Sequence, residues 1–306
     1  GEGNISADPM LLGPSHIHSE SPCVGAGSAD DVSATDIDGD AWNTPSSMGC
    51  DEPSAPFDGT LSVSISMEGS KIAKGYALGF FAEITGEVTS NRWAFGDGES
   101  LPNTTYPAHA FGEAGNYDVV LTAWNDDFPD GVSATAQVQV VASSTYYVNA
   151  GNTSPVAPYT SWATAATTIQ DAVDIADDTW GSTVLVADGF YTAGGAVTPG
   201  FSCMNRVVIT NDITVQSVNG PEYTYIVGEG PLGSNAVRGV YMSSGILSGF
   251  TITNGHTMTS GQIYYDCMGG GVSLNAGDGP TIRGGDGLVT NCILVGNASD
   301  NFGGGC

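Results

Sequence analysis

The chain has 306 residues, 41% of them apolar, with 44 glycines and 15 prolines. This length holds two or three domains with cores of their own, and the glycine and proline usage suits many short strands better than long helices. Six basic against 33 acidic residues give a formal charge of −27, which repels phosphate backbones and anionic headgroups and so excludes nucleic acid and membrane surfaces as partners. The same charge repels further copies of the chain, so any assembly requires divalent cations, salt or strong contacts. No run of about 18 apolar residues occurs, so no membrane span is expected, and no charged-then-apolar leader opens the chain. Cys23, Cys50, Cys203, Cys267, Cys292 and Cys306 follow no metal-ligand spacing. With the charge, they point to an exported protein, secreted or at the cell surface, in an oxidising compartment. Glycosylation sequons begin at Asn4, Asn103, Asn152 and Asn297.

Residues 1–53 show no periodic pattern and are dense in Gly, Pro, Ser and Asp. An irregular segment of that length needs something to pack on. Cys23 and Cys50 bracket its second half, and a disulfide between them would close a loop worth about 3 kcal/mol. Asp36, Asp38 and Asp40 place three carboxylates on a tight turn and are the candidate Ca²⁺ ligands. The competing reading is a turn whose aspartates accept bonds from local amides.

Residues 54–143 alternate between apolar and polar in Leu61–Ile65, Tyr117–Trp124 and Ala136–Val140, with turn residues between the runs. That spacing predicts an antiparallel sandwich. Trp93-Ala94-Phe95-Gly96-Asp97-Gly98 is followed by His109-Ala110-Phe111 and by Gly115-Asn116-Tyr117. This set resembles the PKD domain, an immunoglobulin-like module. The resemblance implies that Trp93 and Phe95 anchor the core, that Gly96–Gly98 makes a tight turn, and that His109 is structural. Ala94 stands where the family commonly has Asp. Asp126, Asp127 and Asp130 form a second acidic cluster, in a sandwich loop.

Residues 144–306 begin with a strand at Tyr146–Asn149. Apolar residues at helical spacing then predict a helix over Thr164–Ala176, and a strand follows over Ser182–Tyr191. Short strands recur at Ile213, Phe250, Val272 and Cys292, and the last two intervals, 22 and 20 residues, predict one solenoid coil each. Asn219, Asn254, Asn275 and Asn297 follow these strands and predict an asparagine ladder at a coil corner. The runs Ala165–Val173 and Val184–Tyr191 resemble the start of a right-handed parallel β-helix of the large exported, pectate-lyase-like type. In that family the helix lids the N-terminal mouth of the solenoid. Gly3–Met10, Ser21–Gly27 and Thr35–Asp40 resemble the last coil and tail of the same family.

The fold class expected is therefore all-β: an irregular tail-like segment, a PKD sandwich, and a short right-handed parallel β-helix with a capping helix. A chain that carries a β-helix tail first and ends on Gly303-Gly304-Gly305-Cys306 leads to the expectation of head-to-tail assembly. Residues 1–53 of one copy would complete the coil of the next, with Asn4, Ile5, Pro9, Gly303, Gly304, Gly305 and Cys306 at the joint. The function expected is a non-enzymatic extracellular structural protein forming a filament or surface layer, with no required cofactor and Ca²⁺ as an optional one. The alternative is a fragment of a larger secreted adhesin, or of a protein that binds or degrades polysaccharide. A lyase needs cations to neutralise a uronate, and residues 144–306 offer only Arg206, Arg238 and Arg283. A glycosidase needs two facing carboxylates, and Glu222, Glu229, Asp266, Asp278 and Asp286 do not recur at coil spacing. A binding module would use aromatic rings such as Trp124, Trp162, Trp180, Tyr264 and Tyr265.

Overall fold

The computed structural model describes residues 5–12, 15–28, 35–37, 39–53, 57–142, 145–274 and 287–305. It divides into two compact units, Gly1–Ser70 with Ala77–Val140, and Lys71–Tyr76 with Val141–Cys306. No described helix is long and apolar enough to cross a membrane.

The first unit holds strands β1 (Ser62–Met67), β3 (Ala77–Thr85), β4 (Ser90–Ala94), β5 (Ser100–Pro102), β6 (Ala108–Ala110), β7 (Gly115–Trp124) and β8 (Val132–Val141). A short β2 (Lys71–Ala73) is counted with the second unit. All pairing in the sandwich is antiparallel, with β1, β3 and β6 in one sheet and β8, β7, β4 and β5 consecutive in the other. Alternation along β3, β4 and β7 sends Leu78, Phe80, Trp93, Val119, Leu121 and Ala123 inward, each fully buried. Phe80 lies 5.7 Å from both Trp93 and Phe95, centroid to centroid, so three rings fill the space between the sheets. Gly96 adopts φ +81°, and a Cβ there would stand 2.8 Å from the Asp118 carbonyl oxygen; only glycine fits this turn.

The N-terminal segment belongs to the same unit as the sandwich. It is irregular, as its sequence predicts, with isolated antiparallel bridges Leu11–Ile17 and Thr35–Ala41. Leu12 and Ile17 are buried, and Asp51 accepts the Ile17 amide at 2.8 Å. Glu52, also buried, accepts the Ser47 amide, the Ser47 hydroxyl and the Asn43 side-chain amide. Burial opposes its ionisation, yet these donors hold its pKa below the usual range.

In the second unit, β9 (Thr145–Val148) leads to α1 (Ile169–Ala176) and then β10 (Thr183–Val186), β11 (Gly189–Tyr191), β12 (Ala196–Val197), β13 (Met204–Ile209), β14 (Thr214–Ser217), β15 (Thr224–Val227), β16 (Val237–Met242), β17 (Ile246–Ser248) and β18 (Thr251–Thr253). After the short α2 (Ile263–Asp266) come β19 (Val272–Leu274), β20 (Leu288–Thr290) and β21 (Ile293–Val295). Strands β9, β10, β14, β17 and β20 make one parallel sheet, and β11, β15, β18 and β21 a second. The third contains β13, β16 and β19 in parallel, with β12 antiparallel on β13. From β10 onward the chain visits the three sheets in rotation.

In-register pairing stacks like residues into interior columns. Tyr146, Val184, Val215, Leu247 and Val289 form one, and Tyr191, Ile226, Ile252 and Leu294 another. Strand spacing of about 4.8 Å brings these side chains into direct contact, and nearly all belong to one buried cluster. At one corner the backbones approach too closely for any side chain, since a Cβ on Gly255 would lie 2.0 Å from the Gly270 carbonyl oxygen.

Three sequence expectations are corrected here. The α-helix begins at Ile169 rather than Thr164, because Ala166 exchanges backbone hydrogen bonds with Tyr147 and Asn149 beside β9, and Thr168 then caps the helix through the Asp171 amide. One full coil takes 26 to 42 residues, read from Ile226 to Ile252 and from Leu247 to Val289. The 20–22-residue spacing connects strands on different sheets, since short apolar-x-apolar runs look alike on all three faces. Finally, Asn254 and Asn297 bond backbone carbonyls of the preceding coil, Gly228 and Ile252, instead of each other. Asn219 bonds Asp188 at another corner, and Asn275 lies outside the described residues.

Helix α1 packs its buried face, Ile169, Ala172, Val173 and Ala176, into the coil core. Gln170 is buried with them, and its amide both donates to and accepts from the Val208 backbone, at 3.3 and 2.7 Å. This pins the helix to β13.

Candidate functional site

A pocket of about 280 Å³ opens in the first unit between the N-terminal segment and the β5–β6 connection, lined by Asp8, Pro9, Leu11, Asn103, Thr104, Thr105 and Tyr106. Its two walls are joined through one buried side chain. Asn91, on β4, donates to the Leu12 carbonyl at 2.8 Å and accepts the Thr104 amide at 3.1 Å. The Asn91 backbone amide donates to the Asn103 side-chain oxygen at 3.1 Å, and the Asn103 amide donates back to the Asn91 carbonyl at 2.9 Å. Thr105 adds a bond from its hydroxyl to the Leu11 carbonyl at 2.8 Å. Asn103 takes φ +48°, a left-handed conformation that asparagine tolerates better than most residues.

On the rim, Tyr106 is 55% exposed and stacks on Phe81 with centroids 4.9 Å apart and planes 16° from parallel. A ring braced from behind in this way presents its outer face at little entropic cost on binding. Asp8 accepts the Met10 amide through one carboxylate oxygen, and the pocket thus offers an aromatic face beside a carboxylate, an amide and two threonines. This is the chemistry of polyhydroxylated ligands: apolar C–H faces stack on a ring while hydroxyls reach polar groups.

The other candidates have structural partners. His109 is buried, stacked on Phe95 at 4.0 Å, and bonded through Nε2 to Asp97 at 2.7 Å. Burial opposes ionisation of Asp97, but the His109 bond and the Glu99 amide outweigh it and hold its pKa low. Asp36 accepts the Gly39 and Asp40 amides on one oxygen and the Glu52 amide on the other. Its carboxylate therefore closes a turn; Asp40 is half-buried and Asp38 lies outside the described residues. No group of three metal-ligating side chains occurs among the described residues.

Cys23 and Cys50 are not joined: Cys23 is a buried thiol, whereas Cys50 is exposed and its thiol donates to the Ser15 carbonyl. Of the residues expected at an assembly joint, Asn4 and Cys306 lie outside the described residues, Ile5 is half-buried, and Pro9 lines the pocket. Gly304 and Gly305 accept the Gly271 and Val272 amides, so the two glycine runs stack on one another, and Gly303 turns the chain at φ +71°.

In the coil, Arg206 bonds the Val227 and Gly194 carbonyls, and Arg238 the Tyr265 and Met268 carbonyls. Asp266 is buried and accepts three backbone amides, from Ser202, Cys203 and Gln262. Glu229 is exposed, 4.0 Å from Arg206. Arg283, Asp278 and Asp286 lie outside the described residues. Tyr264 is exposed and Tyr265 stacks on Phe201, while Trp180 packs edge-on against Tyr76.

The antiparallel sandwich, the aromatic core and the histidine-clamped turn agree with a match of the family model "PKD domain" to residues 61–141. Residues 61–141 are a PKD domain. No curated protein matches the chain. Among solved structures, the PKD1 domain of Vibrio anguillarum Epp is 23% identical, over 27% of this chain and 98% of that one, with a TM-score of 0.21. The PKD domain of the human VPS10 domain-containing receptor SorCS2 is 23% identical, over 38% and 94%, with a TM-score of 0.23. A structure from work on the promiscuous specificity of carbohydrate-binding modules of the β-sandwich superfamily is 17% identical over 32% of this chain, with a TM-score of 0.25. The chain spans 39% of that structure's length. The pocket at the PKD domain was not foreseen from sequence; its one local signal was an unassigned tyrosine between Pro102 and Pro107.

Proposed function

We propose that the chain is a non-catalytic module of an extracellular protein, in which the PKD domain binds neutral polysaccharide through the Tyr106 pocket. The coil, read as a right-handed parallel β-helix capped by α1, serves as a rigid support. The observation that carries this reading is the exposed, back-stacked Tyr106 ring at the rim of a pocket lined by Asp8, Asn103 and Thr104. The pocket volume is near the lower end for small-ligand sites, about 300 Å³, and matches one or two sugar rings. The Asp8 carboxylate and the formal charge of −27 disfavour uronates and sulfated sugars. Calorimetric titration with neutral oligosaccharides of the glucan, mannan, xylan and chitin types tests it. Saturable binding is expected, weakened at least tenfold by Tyr106→Ala with the fold intact. Absence of binding to every one, or full affinity in Tyr106→Ala, would overturn it.

A second reading concerns assembly. Among the described residues, strands β20 and β21 pair on one side, with β17 and β18, and Leu288, Ile293 and Val295 are about half exposed. Apolar strand rows of this kind favour addition of a further coil, here supplied by residues 1–53 of a neighbouring copy in a head-to-tail fibre. Electron microscopy and light scattering of the intact chain, with and without Ca²⁺, test it. Linear filaments are expected, and dispersed monomers under every condition would count against it.

A further inference from the structure

Two segments of the coil unit, distant in sequence, meet at a buried arginine. One is the turn after β12, where Thr198 bonds the Cys203 carbonyl through both its amide and its hydroxyl. The other is α2 with the residues after it. Arg238, fully buried on β16, reaches both. Its Nη1 donates to the Thr198 hydroxyl and the Asn205 side-chain oxygen, and its Nη2 to the Tyr265 and Met268 carbonyls, which bracket Cys267. The Asp266 carboxylate closes the same gap from the other side, accepting the Ser202 amide at 2.9 Å and the Cys203 amide at 2.8 Å. Next to it the rings of Phe201 and Tyr265 stack face to face at 3.8 Å, 6° from parallel. The neighbours of Cys203 are thus bonded to or stacked on the neighbours of Cys267, and both cysteines are buried free thiols in this structure, at 0% and 2% exposure.

We infer that Cys203 and Cys267 form a disulfide that ties the α2 segment to the β12–β13 turn. Three contacts (the Asp266 cap, the Arg238 fork and the ring stack) already hold the two segments together, which favours closure of the bond as the chain folds. Cys292, by contrast, directly precedes β21, and its sulfur accepts the Phe250 amide at 3.5 Å. Burial first, then the charges of Asp300, Asp266 and Cys203, push the Cys267 thiol up, while burial also raises Cys203 against the pull of Arg238. Both thiols are then protonated at neutral pH once packed, so the exchange belongs to folding, before the segment closes.

The oxidant is a small disulfide. One cysteine thiolate attacks its S–S bond, forms a mixed disulfide and releases one thiol. The second cysteine then attacks the protein sulfur and releases the other thiol, and the two protons lost by the cysteines end on the two leaving groups.

The test is refolding of the full-length, reduced chain in a glutathione redox buffer, followed by alkylation in denaturant and tryptic mapping. Cleavage at Arg92, Arg206, Arg238 and Arg283 separates peptide 93–206 from peptide 239–283. The expected product joins these two, two hydrogens lighter than their sum. Each of Cys203→Ser and Cys267→Ser should leave the other thiol open to alkylation. Hydrogen exchange of residues 257–268 should slow at least tenfold in the oxidised chain. The same map on chain folded during export into an oxidising compartment covers a failure to refold in vitro. Alkylation of both cysteines in both preparations, or pairing of either with a different cysteine, would overturn the inference.

Discussion

Asn91 in the sandwich and Arg238 in the coil are both buried hubs of hydrogen bonding, at 1% and 0% exposure, yet they are held differently. Asn91 is neutral, and both its side-chain atoms have partners, the Leu12 carbonyl and the Thr104 amide. Arg238 carries a charge into the interior, and its Nε has no partner among the described residues. The difference follows from architecture. An antiparallel sandwich leaves its loops at the ends of the sheets, where a neutral amide suffices to fasten one loop over another and leave a pocket. The coil inserts a long excursion after β18 into one turn, and only a planar fork with several donors reaches enough carbonyls to pin it.

Substitution at the two hubs sharpens the contrast. Arg238→Met should cost the coil unit about 3 kcal/mol, since it strands the Asn205 oxygen and two carbonyls in the interior. The sandwich should be unaffected, as read by amide exchange resolved over the two units. Asn91→Ala should cost the sandwich unit less, about 2 kcal/mol, but should release the N-terminal segment and abolish binding at the Tyr106 pocket. If Asn91→Ala keeps full binding, the pocket does not depend on the hub.

Acid should separate the units by the smallest effect. Asp97 has a lowered pKa in the folded sandwich. Its stabilisation is present above the unfolded value, near 3.9, and is lost as pH falls through the lower folded value. Asp177, beside α1, is raised because burial outweighs its bonds from the Thr210 hydroxyl and the Asn211 amide. Its contribution is present below the unfolded value and is lost as pH rises through the folded one. Lowering pH from 7 towards 4 should therefore stabilise the coil unit while leaving the Asp97 contribution intact. Below that range the sandwich should weaken, and Asp97→Asn should remove this loss. Exchange measured across pH 2–7 checks both signs.

Much of the first unit was legible in the chain. Trp93, Phe95 and Gly96 act locally, through strand alternation and a turn that only glycine makes, and His109 follows from the motif they belong to. The coil strands were legible as strands but not as faces, because Val-x-Val and Ile-x-Ile runs carry a period of two without stating which sheet receives them. Helix α1 was placed too early because the alanines before it fit a helix as well as they fit the bridge to β9.

The local patterning of this chain dictates an all-β protein with a PKD domain and a run of short strands, because period-two alternation, turn glycines and the absence of long helical stretches act within a few residues. Assignment of each strand to its sheet, the coil length, the bonds of Leu11 and Leu12 to Thr105 and Asn91, and the meeting of Cys203 with Cys267 all depend on contacts between residues tens of positions apart. Such contacts form where interior volume must be filled and buried amides, carbonyls and charges must find partners. Those demands belong to the packed whole, and no short window of sequence contains them.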